Sequence, residues 1–375
     1  MTRSPRTATP DSPLLRAARI AWGLGGVVPR SVGALAGQWN PLSVTGLRQL
    51  GEVTLDELVV TGMTLTGAPP QIPRALRDYE EAASELAALG IDGAHASPDA
   101  LQVKHIRARR FGALTFEELV FDHEPVLPDS VLADGHGGPA TARVRLYRRN
   151  DEVRPWLIWV HGAGQGDPMD LLVARVRQLQ QLGFNVALPV QPGHGPRRSS
   201  WPEYPARDPL ANVAGTMRAV SEVRALIGWL QPQASSITVA GLSLGSAVAA
   251  LVSHLDARVG AVAVYTPILG LNTMIGLHLG RWGSAGRAAG VQLQSDVVTA
   301  LTSVVDPLAT VPRGDRRLIV GAWHDRMAMR DSALALHERW GGELHWHDGS
   351  HVGHLFSGAV QDATSRFLEP LRAVL

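Results

Sequence analysis

Short apolar runs alternate with amphipathic stretches from Leu114 to the end of the chain, and that alternation sets the expected architecture. Residues 114–120 and 141–148 alternate apolar with polar and are separated by the turn Asp134-Gly-His-Gly-Gly138, which predicts an antiparallel pair at a sheet edge. Six nearly continuous apolar runs follow, at 156–160, 186–190, 237–240, 261–265, 318–322 and 343–347. Runs of that kind suit strands covered on both faces. Helical patterns fall between them at about 169–182, 212–230, 245–255 and 328–340, so the order predicts a mainly parallel α/β sheet wrapped by helices.

Residues 1–112 have a different texture and read as a mostly helical amino-terminal region, with the α/β domain occupying 113–375. The clearest helix there spans 73–89, where Leu76, Tyr79, Ala83, Leu86 and Leu89 recur at spacings of three or four between Pro73 and Gly90. A second is expected to begin at Thr54, with Glu57 three residues on completing a capping box. No internal repeat or low-complexity block interrupts the chain.

Composition narrows the function classes. Apolar residues make up 45% of the 375 and charged residues 18%, ample for a large core and unlike a disordered chain. The net charge of +1 gives no basic surplus for nucleic acid. The absence of cysteine excludes disulfide scaffolds, thiolate metal sites and a cysteine nucleophile. Arg3, Arg6, Arg16 and Arg19 precede a short apolar run, Ile20 to Val28, that resembles a signal h-region but is cut off by Pro29-Arg30. The favoured expectation is a cytoplasmic protein, with secretion or peripheral membrane contact by this segment as minor readings. The longer uncharged stretches, 225–255 and 259–280, hold polar residues and turn signals unsuited to a transmembrane helix.

The chemistry concentrates at Ser236-Ile-Thr-Val-Ala-Gly-Leu-Ser-Leu-Gly-Ser-Ala-Val-Ala-Ala-Leu251, a strand, the turn Gly241-x-Ser243-x-Gly245 and an alanine-rich helix. A turn that sharp needs small flanking residues and leaves the serine exposed at a helix start. With the edge pair before it, the His161-Gly162 loop, and a late aspartate and later histidine, the chain from about 114 to 375 resembles the α/β-hydrolase superfamily, in particular its serine esterases and lipases. A serine hydroxyl needs a base, and the base a carboxylate to orient it. The resemblance therefore implies an acid after a strand downstream of Ser243, and Asp325 ends the run Arg317-Leu-Ile-Val-Gly-Ala-Trp-His-Asp325. Asp296, Asp306 and Asp315 are less suitably placed. It implies a base after the last strand, where His351 follows Gly349-Ser350 and is preferred over His354; 26 residues separate Asp325 from His351, room for one helix and one strand.

The resemblance also implies two oxyanion donors, the backbone N–H groups of Leu244 and of Ala163 in Trp159-Val-His161-Gly162-Ala163-Gly164. His161 and His194, the latter in Gln191-Pro-Gly-His194-Gly, then brace loops, while Gln165 and Asp167 fix no subfamily. A lid is expected over 266–312, whose Ile268, Leu269, Leu271, Met274, Ile275, Leu277 and Leu279 suit helices over an apolar acyl pocket.

The expected activity is cleavage of a carboxylic ester through an acyl-enzyme, on a small-molecule ester or acyl substrate, with no cofactor, no metal and no nucleic-acid partner. Acyl transfer and thioester or amide cleavage use the same constellation. A metal site built from His345, His347, His351 and His354 is a separate class of reading, and a non-catalytic binding protein of the same fold is another. Oligomeric state is not legible.

Overall fold

The computed structural model describes residues 13–37, 39–65, 72–149, 153–199 and 204–372. Nine strands form one sheet: β1 (Gln102–Phe111), β2 (Leu114–His123), β3 (Ala140–Tyr147), β4 (Arg154–Val160), β5 (Asn185–Pro189), β6 (Ala234–Leu242), β7 (Val259–Tyr265), β8 (Arg316–Ala322) and β9 (Glu343–His347). Their spatial order is β1-β2-β3-β5-β4-β6-β7-β8-β9. The first three strands and β5 pair antiparallel, and everything from β5 to β9 pairs parallel. The strands in the middle of the sheet are the ones whose sequences are continuously apolar: Trp156, Ile158, Val160, Val239, Ala240 and Val264 are all fully buried. Helices cover both faces, giving one apolar layer around Val220, Leu226, Val248 and Leu251 and another around Leu171, Phe184, Val360 and Phe367.

Three sequence expectations change. The sheet begins at Gln102, so residues 1–112 are not uniformly helical. β1 is an edge strand exposed along nearly all its length, and its Lys, His and Arg side chains hide the period-two signal that a half-buried strand would show. It folds back on β2 through Gly112, at φ +55°, a left-handed position that favours glycine. Upstream, helices α1 (Pro13–Gly25), α2 (Val27–Leu35), α3 (Val44–Leu65) and α4 (Glu80–Ala94) are present. Helix α3 starts ten residues before Thr54, with Ser43 Oγ accepting the Gly46 N–H at 3.0 Å. Thr54 thus lies mid-helix and Glu57 faces inward. The expected 73–89 helix is a short turn at Leu76–Tyr79 running into α4, whose regular part breaks at Gly90 (φ +61°).

The segment 266–312 contains helices Leu271–Leu279, Gly283–Leu293 and Asp296–Thr302 between β7 and β8. Among the described residues, no helix is long and apolar enough to cross a membrane. Arg3 and Arg6 lie outside the described residues.

Candidate active site

β6 ends at Leu242 and the helix Gly245–Leu255 begins three residues later, with Ser243 in between at φ +53°. A non-glycine residue held there costs about 1–2 kcal/mol, and the surroundings hold it. Ser243 N–H donates to Tyr265 O at 2.9 Å, and its own carbonyl accepts the Ser246 N–H at 3.0 Å. The flanking glycines are sterically compulsory. A Cβ on Gly241 would lie 2.4 Å from Gly245 O, and one on Gly245 would lie 2.2 Å from Val160 O.

Ser243 Oγ donates to His351 Nε2 at 2.9 Å, and His351 Nδ1 donates to Asp325 Oδ2 at 2.8 Å. Asp325 follows β8, and its other oxygen accepts the Met327 and Ala328 N–H groups, both at 2.8 Å. That loop geometry fixes which oxygen is left for the histidine. His351 is buried, and burial works against its charged form; the Asp325 and Asp56 carboxylates outweigh that effect and raise its pKa.

His354 is not brought to Ser243. Its Nδ1 bonds to His351 O and its ring stacks on Tyr265, while burial pushes its pKa down to about 3. His347 Nε2 donates to Glu52 Oε2 at 3.0 Å, and His345 stands half-buried on β9. Each of the four late histidines therefore has a separate environment, and among the described residues no cluster of three metal-ligating side chains forms.

The His161–Gly164 loop lies against the serine: a Cβ on Gly162 would touch Ser243 Cβ at 3.4 Å. His161 accepts the Gln191 N–H on Nε2 at 3.1 Å and donates from Nδ1 to Gly162 O at 2.8 Å. Burial drives its pKa down to about 3, so it is a neutral brace. His194 bonds to Pro192 O and packs edge-on against His161. Among the described residues, neither Ala163 nor Leu244 donates its backbone N–H to a protein acceptor. A donor that is to meet an oxyanion has to be free in this way. Further along, Gly166 N–H bonds to Asp170 Oδ2 at 2.9 Å, and burial raises Asp170 to about 6.

A cavity of about 280 Å³ opens beside Leu244, between Ala247 of the elbow helix and Ile268, Leu269, Asn272 and Thr273 of the segment after β7. On its wall Asn212 Nδ2 donates to Asn272 Oδ1 at 2.8 Å.

Sequence reasoning missed the carboxylates of α3. Asp56 and Glu57 are fully buried, and with Glu52 they contact the loops that carry His351 and Asp325. The partners lie about 300 residues away, so no local spacing records them. The only hint was three acids on one short helical stretch.

No family model matches the sequence. Two curated proteins of Mycobacterium tuberculosis, the uncharacterized proteins Rv2627c and MT2702, are each 34% identical over 234 residues, 60% of this chain and 56% of theirs. The chain thus spans about half the length of these relatives. Among solved structures, an acetyl xylan esterase from a Paenibacillus species superposes with a TM-score of 0.53 at 17% identity, over 80% of this chain and 96% of that one. Acetyl xylan esterase 1 from a Thermoanaerobacterium species gives 0.53 at 16% identity, over 82% and 96%. At such identities the likeness is one of fold.

Proposed function

We propose that this chain, an α/β hydrolase by fold, is a serine hydrolase that cleaves carboxylic esters through an acyl-enzyme. The observation that carries the proposal is the unbroken Ser243 Oγ–His351 Nε2–Asp325 chain, with links of 2.9 and 2.8 Å. That both structural likenesses are acetyl xylan esterases agrees with it.

In this reading His351 takes the Ser243 proton as Oγ attacks the ester carbonyl, and Asp325 orients the ring and stabilises the imidazolium. Negative charge collects on the carbonyl oxygen, where the Ala163 and Leu244 N–H groups would meet it, each typically worth 10²–10³ in rate. The C–O bond then breaks, His351 hands its proton to the departing alcohol, and water repeats the sequence on the acyl-serine. Because the cavity begins at Leu244 and Ala247, it would take the acyl group, and residues 266–312 would act as its cover. The pocket's lining is mixed: the Asn212–Asn272 pair, Thr216, Thr299 and Ser303 are polar, and Leu244, Ile268 and Leu269 are apolar. His351 must be neutral to accept the proton, and its pKa is raised, so kcat/KM should climb with pH through a value above the ordinary histidine range.

A fluorophosphonate probe and a p-nitrophenyl ester series from acetate to palmitate test this. Stoichiometric labelling and turnover, both lost in Ser243→Ala, are the expected result. Unlabelled enzyme that passes the acyl group of the ester to added alcohols faster than to water would be a transferase on the same residues.

A further inference from the structure

Helix α3 departs from an ordinary covering helix, because beside the buried Val53 and Val60 it also turns acids to the inside. Leu47, Leu55 and Leu58 face outward, 59%, 40% and 43% exposed, while Asp56 and Glu57 point inward with no exposure and Glu52 stands beside them. A buried carboxylate is costly unless donors surround it. Asp56 has four: the His351 N–H at 2.8 Å, the Val352 N–H at 2.9 Å, the Ser350 hydroxyl at 2.9 Å and the Arg326 N–H at 3.2 Å. Three come from the loop that carries His351 and one from the loop that carries Asp325. Glu52 Oε2 takes the Ser350 N–H at 3.1 Å. Glu57 gathers Arg30, Arg281 and Arg326, tying the helix to α2, to the segment after β7 and again to the Asp325 loop.

The loop's own sequence is fitted to this helix. A Cβ on Gly349 or Gly353 would fall 1.9 or 2.0 Å from Glu52 Oε2, so with Glu52 in the position that bonds His347 and Ser350 there is room only for bare backbone at both ends of the stretch from 349 to 353. The small residues that bracket His351 are thus explained by a contact with the amino-terminal region.

We infer that Asp56 is a positioning residue for the reaction, locking the His351 loop in register with Ser243 and Asp325 and placing a second negative charge beside the imidazole. The inference rests on the serine-hydrolase reading above, and it makes α3 part of the machinery of a domain whose sheet begins about forty residues later. Two backbone N–H groups and a hydroxyl fix where the ring hangs, and near-attack geometry tolerates little error: a misplacement of about 1 Å can cost on the order of 10²-fold. The remaining groups around His351 do not duplicate the charge. His354 lies edge-on at 6.4 Å and is kept neutral by burial, and Thr266 Oγ1, at 3.5 Å, is uncharged. Arg326 sends its guanidinium to Glu57, and Glu52 is engaged by His347 and Arg48. Burial raises the pKa of Asp56 itself, the direction expected of a carboxylate placed beside Asp325, with the His351 charge pulling the other way.

The test uses the full chain and Asp56→Asn, read by p-nitrophenyl ester kinetics across pH and by NMR titration of the His351 imidazole. Expected are a kcat lower by about 10–100-fold with KM within about threefold, an acid limb displaced to lower pH, and an imidazole titration displaced the same way, since removing an adjacent negative charge disfavours the imidazolium. Wild-type kcat with an unmoved titration would overturn the inference. Should Asp56→Asn fail to fold, Ser350→Ala removes one donor and keeps the charge; kcat roughly 3–10-fold lower at constant KM supports the role, and unchanged kcat refutes it. The NMR readout needs no turnover. A wild type that cleaves no ester while its His351 titration still falls in Asp56→Asn would sink the esterase reading and leave the positioning role standing.

Discussion

Ser243 and His351 meet across 2.9 Å, yet the two sides of that contact are held in place by different physics. The serine is set by backbone and apolar packing of one stretch of about sixteen residues against the neighbouring strands: β6 and its following helix bury Val239, Ala240, Val248 and Ala249 completely, Ser243 N–H bonds to Tyr265 O, and the glycines have no room for a Cβ. The histidine is set by polar contacts to a helix some 300 residues upstream, whose carboxylates take the Ser350 hydroxyl and the His351 and Val352 N–H groups of its loop. One half of the site is built by local sequence and the other by long-range hydrogen bonding, and they should fail differently.

The largest expected effect is common to both halves. Ser243→Ala and His351→Ala should each lower kcat by about 10⁴–10⁶-fold with the fold intact, measured by ester turnover and circular dichroism. Glycine substitutions should then separate the halves. Gly245→Ala drives a Cβ into Val160 O, a backbone atom that cannot retreat, and should cost 3 kcal/mol or more, roughly, in denaturant unfolding. Gly349→Ala meets the end of the Glu52 side chain, which can swing away, so about 1–2 kcal/mol should be lost while kcat falls around tenfold as the loop shifts.

Acid should attack the polar half first. Glu57 is buried, which by itself would raise its pKa, but Arg281, Arg30 and Arg326 bring it from the usual 4.5 down to about 2. A carboxylate with a depressed folded value contributes stability above its unfolded pKa and loses it as pH falls, here between about 4.5 and 2. The contribution is on the order of 3 kcal/mol at most. Thermal unfolding followed across that window should show the loss in the wild type and a flatter profile in Glu57→Gln, whose stability at neutral pH is already lower. The smallest effect belongs to the pocket beside the elbow. Ala247→Leu should shorten the preferred acyl chain, lowering kcat/KM for the longest esters by about tenfold and for acetate much less, because it narrows the part of the cavity that a long acyl group has to pass.

The same division explains what the sequence disclosed. The strand–turn–helix around Ser243 is legible because each requirement, apolar strand, bare turn and small-residue helix, is written within a few positions of the others. The parallel strands from β4 to β8 were legible because burial on both faces makes them nearly continuously apolar. β1 was not, since an exposed edge strand in arginine and lysine leaves no such mark. The start of α3 was misplaced because Thr54 and Glu57 match a capping pattern that Ser43 in fact supplies. The choice of His351 over His354 followed from the small residues before it, but the reason those residues are small, the closeness of Glu52, depends on a contact between distant segments that no local pattern encodes.

The most direct test of the central claim is to map the adduct of a fluorophosphonate probe on the 375-residue chain by peptide mass spectrometry, across pH. The account predicts one adduct, on Ser243, formed faster as pH rises through the raised pKa of His351 and absent in His351→Ala. An unmodified Ser243 at every pH, or labelling indifferent to His351, would contradict it.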